Sequence, residues 1–364
     1  MKKLVTVCIL LFLSNTIHAQ VNGNSLLPYV DKRVELLSIV FRLADGTKIN
    51  DTLNPVYSKA IQDHFKKHSD HPLIHYIKKI MDSLRQDSIE LGDWDIANIA
   101  VHLSQPPMLQ LLPPIKKGTD DVWESKAFLN SKLVPLIQQF YTAADCEGFF
   151  STQENYYRSV SLHYTKGKII IDKGWLTNFF NLPLTEEYFA IIGLNMTSGA
   201  YLRANLEDRK RQTFTIFACT SFDKNGIPVN ITDAILERNI LHEYIHAYTN
   251  QLVDNNKNAL QKAAETLLND TTVMARVQST FYNNREYLLY ESLVRACTIL
   301  YRKNIERDSF NEEKEIHAQE KAGFLWMKAL VNELANYQAN RPAYNNLSSF
   351  MPQIISFFKR TARL

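Results

Sequence analysis

Two histidines in the stretch LHEYIHAY, residues 241–248, have the types and spacing needed to bind a metal ion. In an α-helix, His242 and His246 lie one turn apart and about 40° apart around the axis, so both imidazoles can reach one point. Zinc requires this arrangement, because its nitrogen ligands lie about 2.0–2.1 Å from the ion. Glu243 lies about 100° from His242, where it can reach a water molecule at that ion. The motif therefore predicts two metal ligands and a catalytic base on one helix.

The helix that carries this motif is expected to be largely buried. Apolar residues cover most of its circumference, and one polar stripe remains, formed by Asn239, His242, His246 and Asn250. A helix with this pattern packs into a core and turns its polar stripe towards a cleft. The alternative is a helix with two histidines on a solvated face. The buried setting favours the metal site.

A third protein ligand is needed, because a catalytic zinc site combines three protein ligands with one open position. The pattern with a third histidine ten residues after the first is excluded, since that position is Leu252. Glu291 is the best candidate, because it lies on a narrow polar stripe of the apolar helix predicted at 285–302 and a buried carboxylate needs a partner. Glu286 and Asp254 are the alternatives. Another interpretation of Glu291 is a surface ion pair with the arginine four residues later, worth about 0.2–0.5 kcal/mol.

Two segments resemble the ligand motifs of the glutamate-type zincins, or gluzincins, which are metallopeptidases with His, His and a downstream Glu as ligands. These segments are HEYIH at 242–246 and YESLVRA at 290–296. The chain is most similar to a group of exported bacterial proteins with a zincin-like core. The segments that carry this similarity are ELLSIVFRLA at 35–44 and LHEYIHAYTN at 241–250.

The resemblance implies a zinc site that hydrolyses peptide bonds. His242, His246 and Glu291 would hold Zn²⁺. Glu243 would take a proton from the attacking water and pass it to the leaving amine. An extended peptide substrate would pair with an edge strand above the cleft, as in strand addition.

The resemblance also implies a hydrogen-bond donor for the negatively charged oxygen of the transition state. The candidates for this donor are Tyr287, Tyr290 and Arg295. Arg295 is also expected to orient Glu291. The substrate-binding edge strand would be either 200–206 or 187–194.

The order of the elements predicts an α+β fold in which helices precede and follow a small, mostly antiparallel sheet. The predicted helices cover 32–46, 72–84, 125–144, a long stretch from 232, 258–281 and 285–302. The predicted strands cover 187–196, 200–206 and 213–220, and the first two are expected to form a hairpin. The predicted regions are a signal peptide at 1–19, a mostly helical N-terminal lobe at 20–165, and a zincin-like core with C-terminal helices at 166–364.

The first 19 residues have the layout of a secretory signal peptide, with a lysine-led start, an apolar run from Leu4 to Leu13, and Ala19 at the expected cleavage site. The apolar run is shorter than the about 20 residues that span a bilayer. We therefore expect an exported protein, periplasmic or secreted, without a stable membrane anchor. The formal net charge of +3 includes the two lysines of this segment, so nothing indicates a nucleic-acid partner.

Three cysteines remain after the predicted cleavage, and they are far apart in the sequence. They are Cys146, Cys219 and Cys297. None belongs to a C-x-x-C pair, so we expect buried small side chains instead of a disulfide scaffold.

These observations predict an exported zinc-dependent metallopeptidase that acts on a peptide or protein substrate. The first alternative is a non-catalytic zincin-like domain whose structural zinc stabilises a binding or partner-interaction protein. A closed fourth ligand, such as Asp254, would favour that alternative, because structural zinc sites leave no open position. The second alternative is a helical binding module without a metal.

Overall fold

A computed structural model describes the following parts of the chain: 27–46, 54–112, 132–165, 171–182, 186–204, 211–229, 231–278, 280 and 283–363. The predicted signal peptide at 1–19 lies outside the described residues. Within the described parts, no helix has the length and apolar character needed to cross a membrane.

Seven helices precede the sheet in the described part of the chain. They are α1 (Lys32–Asp45), α2 (Pro55–Phe65), α3 (Pro72–Gln86), α4 (Asp93–Val101), α5 (Val134–Ala143), α6 (Cys146–Thr165) and α7 (Lys173–Phe180). α1 has the predicted ends. The Asp31 side chain accepts a hydrogen bond from the backbone N–H of Arg33, and Gly46 ends the helix at a φ of 67°. A left-handed residue is common at this position, and glycine adopts it at little cost.

Prolines mark the beginning of two further predicted helices. Pro72 lies in the first turn of α3, where its missing N–H costs nothing. Pro135 lies in the first turn of α5, so it begins this helix and does not kink it. Of the helix predicted at 125–144, residues 125–131 lie outside the described residues.

Three strands form one small sheet: β1 (Glu186–Gly193), β2 (Ala200–Ala204) and β3 (Arg211–Ala218). Their order is β1–β3–β2, and β3 is parallel to β1 and antiparallel to β2. The α+β class is confirmed. The hairpin predicted between 187–196 and 200–206 is wrong, and the sheet is mixed, not mostly antiparallel.

The segment between β1 and β2 explains why no hairpin forms. The backbone N–H groups of Thr197 and Ser198 each donate to the Asp93 carboxylate of α4 over 2.7 Å. A hairpin loop would instead turn directly back from one strand to the next. Because this segment is bound to α4, β2 is held away from β1, and β3 pairs with both strands.

Six helices follow the sheet in the described residues. They are α8 (Asp233–Leu268), α9 (Thr271–Val277), α10 (Arg285–Glu306), α11 (Glu312–Lys321), α12 (Met327–Ala339) and α13 (Leu347–Thr361). The separate helix predicted at 258–281 is wrong, because α8 continues through this region to Leu268. Leu260, Ala263 and Ala264 are buried and extend the apolar side of α8. The polar run before them, 254–258, is exposed or half-buried around the whole helix.

The two faces of the sheet differ in polarity. The strand register places one set of side chains on the face towards α1: Phe189, Ile191, Leu202, Phe214 and Ile216. It places another set on the face towards α8: Tyr188, Tyr201, Arg203, Thr213 and Thr215. The Arg33 guanidinium lies 5.8 Å from the Phe214 ring, and the Tyr201 ring lies 5.8 Å from that of His246. The sheet therefore turns its polar face towards the helix that carries the two histidines.

Buried side chains on both sides of the sheet belong to one hydrophobic core. α8 packs against α10 and α13, and α1 packs against α3 and α4. Cys146, Cys219 and Cys297 are buried free thiols, as expected. This packing fixes α8 and α10 against each other, which matters for the site described below.

Glu35 of α1 is a fully buried carboxyl group near the end of β1. Its Oε2 accepts a hydrogen bond from the Tyr57 hydroxyl, and its Oε1 accepts one from the backbone N–H of Leu194, each over 2.9 Å. The Tyr57 hydroxyl is also hydrogen-bonded to that of Tyr157 over 2.6 Å. Burial raises the pKa of Glu35 to about 7, although the bonds from Tyr57 and Leu194 act in the opposite direction.

The raised pKa of Glu35 makes stability depend on pH. This carboxyl ionises near pH 4.5 in the unfolded chain and near pH 7 in the folded one, so the folded chain binds more protons between these values. The free energy of unfolding should therefore fall by about 3 kcal/mol from this group as the pH rises through that window. Glu35→Gln lacks the ionisation, so its stability relative to wild type should rise by that amount between pH 5 and pH 8 in urea denaturation. Parallel pH curves for the two proteins would contradict this.

Candidate metal centre

α8 presents His242 and His246 side by side. Their ring centroids lie 4.8 Å apart, and the ring planes are nearly perpendicular. The His246 side chain is 8% exposed and that of His242 is 19% exposed. The predicted pair of neighbouring imidazoles is therefore formed at the edge of the core, with His246 buried and His242 partly exposed.

Glu291 of α10 reaches both imidazoles. Its Oε1 lies 3.3 Å from Nε2 of His246, and its Oε2 lies 3.5 Å from Nε2 of His242. Charge-assisted hydrogen bonds are shorter, at about 2.7–2.9 Å. Two ligands of one tetrahedral zinc ion, each about 2.0–2.1 Å from it, are about 3.3–3.4 Å apart. The separations therefore fit three protein ligands around one cation.

Glu243 lies beside the same group. One ligand atom each from His242, Glu243 and His246 lies within 4.8 Å of the others, so this group could hold a metal ion. The Glu243 Oε2, however, is 4.0 Å from Nε2 of His246, farther than the nearest oxygen of Glu291. The distances favour Glu291 as the third ligand and leave Glu243 within reach of a water molecule at the site.

Arg295 holds the carboxylate of Glu291 in place. Its Nε and Nη2 both lie 2.8 Å from Oε2 of Glu291, and its guanidinium lies 4.7 Å from the Phe324 ring. Burial alone would raise the pKa of Glu291, but His242, His246 and Arg295 outweigh it and hold that pKa well below its usual range. Glu291 is therefore ionised, with Oε2 towards Arg295 and Oε1 towards His246.

Asn250 orients His246 from one turn further along α8. Its Oδ1 lies 2.9 Å from Nδ1 of His246. An amide oxygen only accepts, so Nδ1 carries the proton and Nε2 keeps its lone pair for a cation. Burial lowers the pKa of His246, but Glu291, Glu243 and Asn250 outweigh this and raise it.

The other residues selected from the sequence lie outside this ligand group. The Tyr290 hydroxyl donates a hydrogen bond to the Asp254 carboxylate. Glu286 is exposed at the start of α10, where its backbone N–H bonds to the Asn284 side chain. Tyr287 is 54% exposed and contacts the Tyr290 ring, with centroids 6.2 Å apart. Among the described contacts, Glu291 reaches the two histidines, whereas Asp254, Glu286, Tyr287 and Tyr290 do not.

Tyr201 and Arg203 of β2 border the site and were not selected from the sequence. The Tyr201 ring lies 5.8 Å from that of His246, and Nε of Arg203 donates to the Tyr201 hydroxyl over 3.1 Å. The sequence does indicate that these two residues share one face of the strand, because residues two apart in a strand point to the same side. This indicates a role at the site only once that face is known to lie against α8.

The two edge strands differ in their relation to the site. β2 lies beside His246, whereas the outer edge of β1 is bonded to Tyr29, whose N–H donates to the carbonyl of Ala190 over 3.1 Å. The indole N–H of Trp94 donates to the carbonyl of Tyr201 over 3.2 Å. Because this carbonyl is already bonded, an extended peptide that pairs with β2 would have to use other backbone groups of the strand.

The comparison with protein families gives one match that covers most of the chain. The family model described as Domain of unknown function (DUF4932) matches residues 26–357. The chain belongs to this family. No curated protein and no solved structure matches it. The DUF4932 span contains the whole sheet together with α8 and α10, so every residue of the candidate metal centre lies inside the family domain.

Proposed function

We propose that this protein is a zinc-dependent peptidase. One observation carries the proposal, namely the approach of Glu291 to 3.3 and 3.5 Å from the Nε2 atoms of His246 and His242. Two imidazoles and one carboxylate are a ligand set that suits zinc in catalytic sites. Glu291 of α10 would be the third ligand, beside His242 and His246 of α8.

Glu243 is the residue that would move the proton. A bound Zn²⁺ would polarise the carbonyl group of the substrate and lower the pKa of a coordinated water molecule. Glu243, 4.0 Å from Nε2 of His246, is close enough to accept the proton of the attacking water. As the C–N bond breaks, the same carboxyl returns that proton to the leaving nitrogen. Arg295 keeps Glu291 ionised and correctly turned throughout.

The proposal extends to the architecture, the substrate and the location. A metal-binding helix that packs on a small sheet and receives its third ligand from a following helix supports a zincin-like core. The polar sheet face beside His246 supports a cleft for an extended peptide or protein substrate. The signal-like segment at 1–19 supports export to the periplasm or beyond.

The proposal is tested by measuring metal content and peptide cleavage together. After incubation with zinc and dialysis, the protein is expected to hold one zinc ion per chain and to cleave members of a broad peptide library. Chelation should remove both properties, and added zinc should restore them. His242→Ala and His246→Ala should each lose the zinc.

The possible failures have different meanings. Protein that retains no zinc would overturn the metal centre itself. One zinc ion per chain without cleavage of any peptide would overturn the peptidase proposal and favour a structural site. Chelation would then lower the free energy of unfolding without changing any turnover.

A further inference from the structure

The turn that ends α11 brings two residues together. The backbone N–H of Phe324 donates to the carbonyl of Gln319 over 3.1 Å, and that of Gly323 donates to the carbonyl of Glu320 over the same distance. This pair of bonds is the Schellman arrangement, which needs a residue with a positive φ, here Gly323 at 108°. A Cβ at Gly323 would also lie 2.6 Å from a methyl group of Val277. The turn therefore requires glycine, and it fixes Gln319 beside Phe324.

The two residues that this turn joins both contact Arg295. Nη1 of Arg295 donates to Oε1 of Gln319 over 2.5 Å, and the guanidinium lies 4.7 Å from the Phe324 ring. The opposite edge of the same guanidinium, formed by Nε and Nη2, lies 2.8 Å from Oε2 of Glu291. A guanidinium is a rigid planar fork. When one edge is bound by Gln319 and one face by Phe324, the direction of the edge that binds Glu291 is set as well.

Trp326 adds another contact between this segment and α10. Its indole N–H donates to the Ser292 hydroxyl over 3.0 Å, and both side chains are buried. Ser292 follows Glu291 directly in the sequence. The segment from Gln319 to Trp326 therefore holds α10 at the residue next to Glu291, and it also holds the arginine that binds the Glu291 carboxylate.

We propose that Gln319 is a positioning residue of the metal centre, which turns the Arg295 guanidinium towards Glu291 and thereby raises the affinity for zinc. This inference rests on the metal centre of the proposed function, but not on peptide cleavage. Metal ligands depend on their outer hydrogen-bond partners for orientation, and those partners strongly affect the affinity for the ion. Gln319 acts one step further out, through Arg295 and Glu291. Its amide oxygen suits this role because it only accepts, whereas a guanidinium only donates.

Gln319→Met removes the acceptor and keeps an unbranched side chain of similar length. We expect the affinity for zinc to fall by about 3- to 10-fold, as measured by competition with a zinc indicator, because one hydrogen bond that orients Arg295 is lost. An affinity equal to that of the wild type would overturn the role of Gln319.

Gln338→Met is the matched control for this variant. Gln338 is half-buried like Gln319, and its Nε2 donates to Oδ1 of Asn304 on α10 over 3.1 Å. The same substitution there removes a glutamine contact to the same helix, about 20 Å along the axis from Glu291. Its affinity for zinc should stay within about twofold of the wild type. A loss as large as that of Gln319→Met would mean that any weakened contact to α10 lowers the affinity, and would overturn the inference.

Two further variants test whether Gln319 acts through Arg295. Gln319→Glu keeps an acceptor oxygen for Nη1, so its affinity for zinc should equal or exceed that of the wild type. Arg295→Met should lower the affinity by about 10- to 100-fold, and Gln319→Met should add nothing to that loss when the two changes are combined. A loss in Gln319→Glu as large as in Gln319→Met, or additive losses in the double variant, would overturn the positioning role.

The failure of this inference is distinguishable from that of the proposed function. Equal affinities for zinc in the wild type and Gln319→Met would remove only the role of Gln319. A wild-type protein that binds no zinc would overturn the metal centre and this role together. Zinc binding that weakens in Gln319→Met, in a protein that cleaves no peptide, would support the positioning role and remove the peptidase function.

Discussion

Replacing Glu243 with Gln is expected to lower kcat for peptide hydrolysis by about 10²- to 10⁴-fold while one zinc ion stays bound. The carboxamide has the size of the carboxylate but cannot accept a proton from water. Zinc stays bound because its three ligands are expected to be His242, His246 and Glu291, which the change does not touch. In this variant the rate of hydrolysis should therefore fall while the zinc content stays the same.

The measurement is kcat together with zinc stoichiometry for the wild type and Glu243→Gln. Glu265→Gln is the matched control, because it makes the same chemical change on the same helix about 33 Å further along the axis. Its rate should equal that of the wild type. Undiminished cleavage by Glu243→Gln would show that another group is the base. Loss of zinc would show that Glu243 is itself a ligand, in place of Glu291.

The grouping of the candidate metal ligands could be predicted from the sequence because a helix makes part of their geometry local. Four-residue spacing alone places His242 and His246 on one side of α8. Glu291 is more distant, but it is the acid on the narrow polar stripe of an apolar helix, and burial demands a partner for it. The structure brings these residues together, with Arg295 bonded to Glu291.

The arrangement of the sheet could not be predicted in this way, because strand pairing depends on distant parts of the chain. The short segment between β1 and β2 suggested a hairpin, but its N–H groups bond to Asp93, about a hundred residues earlier. For the same reason, the position of Tyr201 and Arg203 beside the site could not be predicted. That they share one face of β2 is a local property, but the position of that face against α8 depends on the order of the strands.

The sequence predicts a separate helix at 258–281, but α8 continues to Leu268 for a physical reason. The run from Asp254 to Asn258 is polar and resembles a loop. It forms helix because Leu252 and Val253 before it and Leu260 after it are buried on one side. Tertiary packing of a few apolar residues outweighs the weak helix preference of several asparagines.

Removing Glu291 should affect stability as well as metal binding. In the metal-free protein, Glu291→Ala leaves Arg295 against Phe324 without its carboxylate, and losing one partner of a buried ion pair costs about 3 kcal/mol. Zinc affinity should fall by more than the about 10- to 100-fold that is typical of an outer-shell partner, because a direct ligand is lost. Urea denaturation and competition with a zinc indicator measure the two effects.

Two further variants show whether the cost comes from the uncompensated charge. Glu291→Ala combined with Arg295→Met should be more stable than Glu291→Ala alone, because the buried charge that has lost its carboxylate is removed. Glu306→Ala breaks another pair on α10, in which Arg302 lies 2.6 Å from a carboxylate that is 34% exposed, and should cost at most about 1 kcal/mol. Equal costs for Glu291→Ala and Glu306→Ala would mean that Glu291 behaves as an ordinary surface ion pair. If Glu291 is instead a buried carboxylate kept ionised to bind a cation, its removal should cost clearly more than the removal of Glu306.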